Sequence, residues 1–169
     1  MVARGDVVLL DTMVILEAHR CHCWKGLHMA FSLESAERCL QELTPKRAGS
    51  RQGFVEVDAE AVRGVMKVHD VSQRDLAELR LKLMNLPDVD EGEEALLAHA
   101  LQRTDAWLVS APDKALIRAL SKFKLMDRYV TLEEMSRVGG CRPARDLERQ
   151  HTAAWISEKR TQLLMGGEI

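Results

Sequence analysis

The clearest pattern in the chain is an apolar run, Val7-Val8-Leu9-Leu10, interrupted by Asp11-Thr12 and resumed as Met13-Val14-Ile15-Leu16. β-Branched and leucine residues without polar alternation predict a strand covered on both faces, as in a parallel sheet. Thr12 offers a cap for a following helix, expected over 13–26 and ending in a crowded His19-Arg20-Cys21-His22-Cys23-Trp24 stretch. Ser32 or Ser35 starts a second expected helix that reaches about Leu43 and stops at Thr44-Pro45. A polar, basic, glycine-containing loop follows, and Phe54-Val55-Glu56-Val57 then alternates like a short edge strand.

Met66, Val68 and Val71 mark a strand over 65–71, and Ser72 caps a helix over 73–85 with Pro87 beyond it. The pattern then predicts a helix over 91–103, a strand over 106–109, a helix over 113–123, a short last strand over 128–130 and a helix over 131–138. Gly139-Gly140 and Pro143 divide a domain, 1–138, from an extension, 139–169. In that extension 144–165 reads as one helix with a weak apolar stripe of Leu147, Ala154, Trp155 and Leu163. Alternating strands and helices imply βαβ units. The expected fold is therefore a three-layer α/β/α domain with a central, mostly parallel sheet and a C-terminal helical extension.

Composition narrows this picture only slightly. A chain of 169 residues with 46% hydrophobic content can bury one substantial core, and a formal charge of −2 gives no strong field toward nucleic acid or membrane. The N-terminus lacks a signal-peptide layout, and no run approaches the roughly 18 apolar residues of a membrane span. A cytoplasmic protein without membrane contact is expected, with Cys21, Cys23, Cys39 and Cys141 as reduced thiols.

The candidate chemistry is acidic. A carboxylate such as Asp11 within an apolar run costs several kcal/mol unless it is paired or binds a metal. At the carboxyl end of the first strand it would stand where open α/β sheets bind ligands. Asp113 also follows an apolar strand, so a parallel sheet would bring both acids to one edge. Asp90-Glu91-Gly92-Glu93 and Ser110-Ala111-Pro112-Asp113 equally fit helix-start patterns. The two readings are compatible, because one carboxylate has two oxygens. Gathered carboxylates repel, and a hard divalent cation such as Mg²⁺ or Mn²⁺ relieves the repulsion.

The stretch from Val7 to Glu17, the region of Glu42, Gly92-Glu93-Glu94-Ala95-Leu96-Leu97-Ala98-His99-Ala100 and Val109-Ser110-Ala111-Pro112-Asp113-Lys114 resemble the ordered motifs of PIN-domain nucleases. The resemblance covers about residues 6–138. It implies a parallel sheet whose acidic pocket binds one or two divalent ions, Mg²⁺ or Mn²⁺, and hydrolyses RNA phosphodiester bonds. By position Asp11, Glu42, Glu93 and Asp113 would be its first to fourth acids, acting as metal ligands and catalytic groups. Thr12, Asp90, Glu94 and Ser110 would stand in support, Glu94 being the alternative third acid. The family usually carries asparagine two residues after its first aspartate, where this chain has Met13. Its fourth motif more often reads Thr or Ser, any residue, Asp, whereas Ser110 here precedes Asp113 by three.

Two functions follow from the resemblance: a metal-dependent endoribonuclease, including a toxin type restrained by an antitoxin partner, or a catalytically degenerate PIN fold that binds nucleic acid or protein. Met13 keeps the second open. Lys46, Arg47 and Arg51 form a basic loop after Glu42, either simply solvated or in contact with RNA phosphates. The C-terminal helix is expected to pack on the domain or on another subunit, as in a homodimer. His19, Cys21, His22, Cys23 and His28 lack the usual spacing of a zinc site and read as partly buried helix residues. His99 and His151 lack a neighbouring nucleophile and read as structural.

Overall fold

The computed structural model describes residues 1–43, 55–84, 89–167 and 169. Four parallel strands form its sheet: β1 (Val7–Leu10), β2 (Ser32–Ala36), β3 (Lys67–His69) and β4 (Leu108–Ser110), in the order β3-β2-β1-β4. Val8 of β1 pairs with Leu33 of β2 and with Leu108 of β4, and Ala36 of β2 pairs with His69 of β3. Helices cover both faces, so the architecture is the three-layer α/β/α sandwich that the alternation of elements predicts. The chain moves from β1 to β2 to β3 in one direction and then returns to place β4 on the other side of β1. The strand order therefore reverses between β1 and β4, which opens a crevice at their carboxyl ends.

The pleat divides β1 between two cores. Val8 and Leu10 point to one face with Leu33, and pack with α1 (Thr12–Arg20), α2 (Trp24–Ala30), α4 (Ala59–Arg63) and α8 (Leu132–Gly139). Leu9 points to the other, among α5 (Gln73–Leu83), α6 (Glu91–Gln102), α7 (Lys114–Lys122) and α9 (Ala153–Leu164). The short α3 (Glu37–Gln41) follows β2 directly.

Several elements differ from the sequence reading. The expected helix over 13–26 is two helices, broken where His22 adopts a left-handed φ of 60°. Residues 32–36, expected to begin a helix, form strand β2, and the helix is reduced to α3. Ser32-Leu33-Glu34-Ser35-Ala36 has little intrinsic strand preference, but pairing with strands on both sides overrides it. The last strand over 128–130 shrinks to a single parallel bridge between Val109 and Tyr129, preceded by a 3₁₀ turn at Met126–Arg128. Phe54 lies outside the described residues, and 55–58 carry no strand. The single C-terminal helix over 144–165 begins only at Ala153, after a 3₁₀ turn at Arg149–His151. Residues 144–148 are held out of helical form by tertiary bonds: the Ala144 N–H donates to the Cys21 carbonyl and the Glu148 N–H to Glu17.

The polar member of β2, Glu34, is 2% exposed. Its carboxylate accepts from Arg103 and from His69 Nε2, and these partners hold it below the usual carboxylate range against the opposing effect of burial. Glu34→Ala leaves the largely buried Arg103 without its interior counter-charge. Urea unfolding is expected to show a loss of about 3 kcal/mol or more; a loss under about 1 kcal/mol would mean that the network does not help to hold β2 and α6 together.

Candidate metal centre

Three helix N-termini meet at the crevice between β1 and β4, and each is capped by an acid. Asp11, rather than the expected Thr12, caps α1: its Oδ2 accepts the Met13 N–H at 3.0 Å. Asp90 caps α6 by accepting the Glu93 N–H at 2.9 Å. Asp113 caps α7 by accepting from the N–H groups of Ala115 and Leu116. The positive ends of three helix dipoles therefore stabilise negative charge at one place.

These caps, together with Glu42 and Glu93, line a cavity of about 400 Å³ whose other walls are Met13, Pro112, Lys114, Gln150 and Trp155. All four sequence-predicted acids thus come together, although Asp11 and Asp113 cap the starts of α1 and α7, Glu42 ends α3 and Glu93 lies in the first turn of α6. Thr12 serves a different role from the one expected. Its hydroxyl donates to the Cys39 carbonyl at 2.8 Å and reaches Glu42 Oε2 at 3.2 Å, tying the start of α1 to the end of α3. Gly92 lets α6 approach closely, since a Cβ there would lie 3.3 Å from Glu42 Oε1 and 3.4 Å from Asp90 Oδ1.

Two supporting assignments change. Glu94, the alternative third acid, turns away from this cavity and pairs with Arg80 at 2.7 Å. There it lines a separate cavity with Glu37, Arg38, His69 and Glu91. Ser110 contributes its backbone carbonyl, which accepts the Asp11 N–H at 3.0 Å and locks β1 to β4 beside the acids. The basic residues Lys46, Arg47 and Arg51 lie outside the described residues. Gln150 and Trp155 are pocket residues that the sequence reading missed. No local motif marks them, because only the folding back of the C-terminal segment brings them here.

Asp11 is 5% exposed and Glu93 3%. Burial pushes the Asp11 carboxyl up to about 7, and the charges of Asp90 and Glu42 add to that while backbone N–H bonds from Met13 and Thr12 oppose it. Glu93 is pushed up to about 9, first by burial and then by the charges of Asp113, Asp90 and Asp11. Asp11 and Glu93 form no ion pair among the described residues. Burial and crowding thus disfavour the charged forms, and helix N-termini offset part of the cost. The carboxylates form an all-oxygen, net-negative donor set, which fits a hard divalent cation.

Two tighter clusters elsewhere differ in kind. Glu34, His69 and His99 form one, and Glu17, Glu148 and His151 the other, each with ligand atoms within 4.8 Å of one another. In both, an arginine already neutralises the buried carboxylate: Arg103 on Glu34 and Arg20 on Glu17. They are charge networks that secure the fold, with His99 stacked on His69. The five residues His19, Cys21, His22, Cys23 and His28 do not assemble into such a cluster. Cys21 and Cys23 are buried in the core, and His19 stacks on Trp24. Compared with protein-family models and with curated proteins, the sequence matches neither.

The raised carboxyl values fix the sign of a pH effect. Between the unfolded values of 3.8 and 4.5 and the folded values of about 7 and about 9, the folded protein keeps protons that the unfolded chain has released. Metal-free protein is therefore expected to lose stability as pH rises through that window. Mn²⁺ should raise the thermal midpoint more at pH 8 than at pH 5.5, because the ion competes with those protons. Asp11→Asn should make the metal-free protein more stable at pH 8 by relieving repulsion. Melting curves with and without Mn²⁺ test this; a midpoint shift equal at both pH values would contradict the assignment.

Proposed function

We propose that the chain is a metal-dependent endoribonuclease of the PIN type, with Mg²⁺ or Mn²⁺ held by Asp11, Glu42, Glu93 and Asp113. The observation that carries this reading is the convergence of five carboxylates on one open cavity, two of them buried without an ion-pair partner among the described residues. Asp90 joins the four acids expected from sequence, as the cap of the helix that carries Glu93. A divalent ion bound there supplies Lewis acidity toward a phosphoryl oxygen and acidifies a water molecule.

The protein's own groups prepare that chemistry. The Met13 N–H holds Asp11 through Oδ2, and the N–H groups of Ala115 and Leu116 hold Asp113 through Oδ1, so backbone donors fix both carboxylates at the cavity wall. The Thr12 hydroxyl orients Glu42. Burial and the neighbouring charges make Glu93 favour its protonated form in the metal-free pocket, so an ion that takes it as a ligand displaces that proton. Lys114 is the one basic side chain among the described lining residues and can meet a phosphate.

A second reading rests on Met13. Its side chain is 42% exposed and forms part of the cavity wall, bringing a thioether where an amide would donate hydrogen bonds. In that reading the pocket takes the ion and the fold binds nucleic acid or protein without cutting.

An RNA-cleavage assay with purified protein separates the two. Cleavage is expected in Mg²⁺ or Mn²⁺ and to stop in chelator, with Asp11→Asn and Asp113→Asn each lowering kcat by about 100-fold or more. Cleavage that persists in chelator and in both variants would sink the nuclease reading. Mn²⁺ binding without cleavage in the wild type, with cleavage gained in Met13→Asn, would establish the binding-module reading.

A further inference from the structure

The acidic pocket is not built by the strand-and-helix domain alone. Gln150 and Trp155 line it from the C-terminal segment, and a defined set of bonds holds that segment in place. Glu17, on the same helix that Asp11 caps, is 4% exposed. Arg20 grips both its oxygens at 2.6 Å and also donates to the Asp146 carbonyl at 2.6 Å. Glu17 Oε1 accepts the Glu148 N–H at 2.7 Å, and Glu148 Oε2 in turn accepts from Gln150 Nε2 at 2.6 Å. One chain of hydrogen bonds therefore runs from the interior of α1 to the wall of the cavity. Beyond Gln150, Trp155 and Ile156 anchor the segment in the same core as Leu9.

The chemistry of the wall gives this relay a purpose. Among the described lining residues, side-chain N–H donors come only from Lys114, Gln150 and Trp155, and the rest of the polar wall is carboxylate. An RNA backbone brought to this pocket carries negative charge toward negative charge, so its approach depends on the few donors present. A neutral amide suits that role, because it offers a hydrogen bond without being captured as a counter-ion by the surrounding acids. Glu148 engages Gln150 Nε2 and so fixes the amide plane; the nitrogen carries a second N–H.

We propose that residues 146–155 form a substrate-contacting wall of the acidic pocket, in which Gln150 donates to the RNA phosphodiester backbone and Glu17 is the positioning residue that holds it there. The inference rests on the nuclease reading for its substrate. It adds a contact from outside the four acid-bearing segments, and a role for the Glu17–Arg20 pair beyond fold stability.

Steady-state cleavage of an RNA oligonucleotide in Mn²⁺ tests it, with Gln150→Ala, Glu17→Gln and the double variant. Gln150→Ala is expected to raise KM about fivefold, the worth of one hydrogen bond, and to change kcat by less than about twofold. Glu17→Gln should raise KM in the same way, and the double variant should be no worse than the worse single one, since both remove one contact. Mn²⁺ affinity, measured by calorimetry, should be unchanged in all three. A KM indifferent to Gln150→Ala overturns the proposal, whether or not Glu17→Gln folds. Additive effects, or a Glu17→Gln defect in kcat and Mn²⁺ affinity, overturn the positioning role. If the wild type does not cleave RNA, the nuclease reading fails by itself, and fluorescence anisotropy of labelled RNA in Mn²⁺ then decides this inference. Binding that is absent, or equal in wild type and Gln150→Ala, overturns it, and binding weakened by the substitution supports it.

Discussion

Mutual repulsion among carboxylates at the β1–β4 crevice is the constraint on which the rest of this molecule turns. Asp11, Glu42, Asp90, Glu93 and Asp113 meet in one cavity, and the two most buried resist ionisation. Such a cluster persists only where something offsets its charge. Here three helices begin at the cluster, and their N–H groups and dipoles offset part of it. The fold thereby puts its positive backbone ends where its side chains are most negative.

The treatment of other buried acids sharpens the point. Glu17 and Glu34 are as buried as Asp11, yet each has an arginine against it and is held below the usual carboxylate range. Asp11 and Glu93 have no such partner among the described residues and are pushed the other way. One chain thus handles buried carboxylates in two ways. Where the purpose is to fasten elements together, the cation is a side chain. At the crevice, among the described residues, the counter-charge comes from helix ends.

Much of the architecture was legible because it depends on local pattern. The unalternating Val7-Val8-Leu9-Leu10 run marked a strand covered on both faces, and Ser72 and Asp90 cap helices as the local pattern suggests, whereas the helix after Ser110-Ala111-Pro112 is capped by Asp113 itself and not by Ser110. Strand β2 was not legible, because Glu34 reads as a surface residue until Arg103 and His69, far away in sequence, bury it. The break at His22 and the non-helical stretch before Ala153 were hidden for the same reason. The left-handed His22 is an exposed residue between the buried Cys21 and Cys23, and the Glu148 N–H is held by Glu17 from the far end of the chain.

The site divides along the same line. By itself the sequence determined which acids stand at strand and helix ends, since a carboxylate after an apolar run or before a helix is a local feature with a local cause. It also determined that Asp11 and Asp113 would share an edge, because parallel strands put their carboxyl ends together. Only the tertiary structure decided that Asp90 and Glu93 face the pocket while Glu94 leaves it for Arg80, although all three acids lie within five consecutive residues. Facing is settled by what packs against each side of a helix, and the sequence shows only one side of that contact. The same holds for Gln150 and Trp155, which reach the pocket because α1 captures a segment more than a hundred residues away.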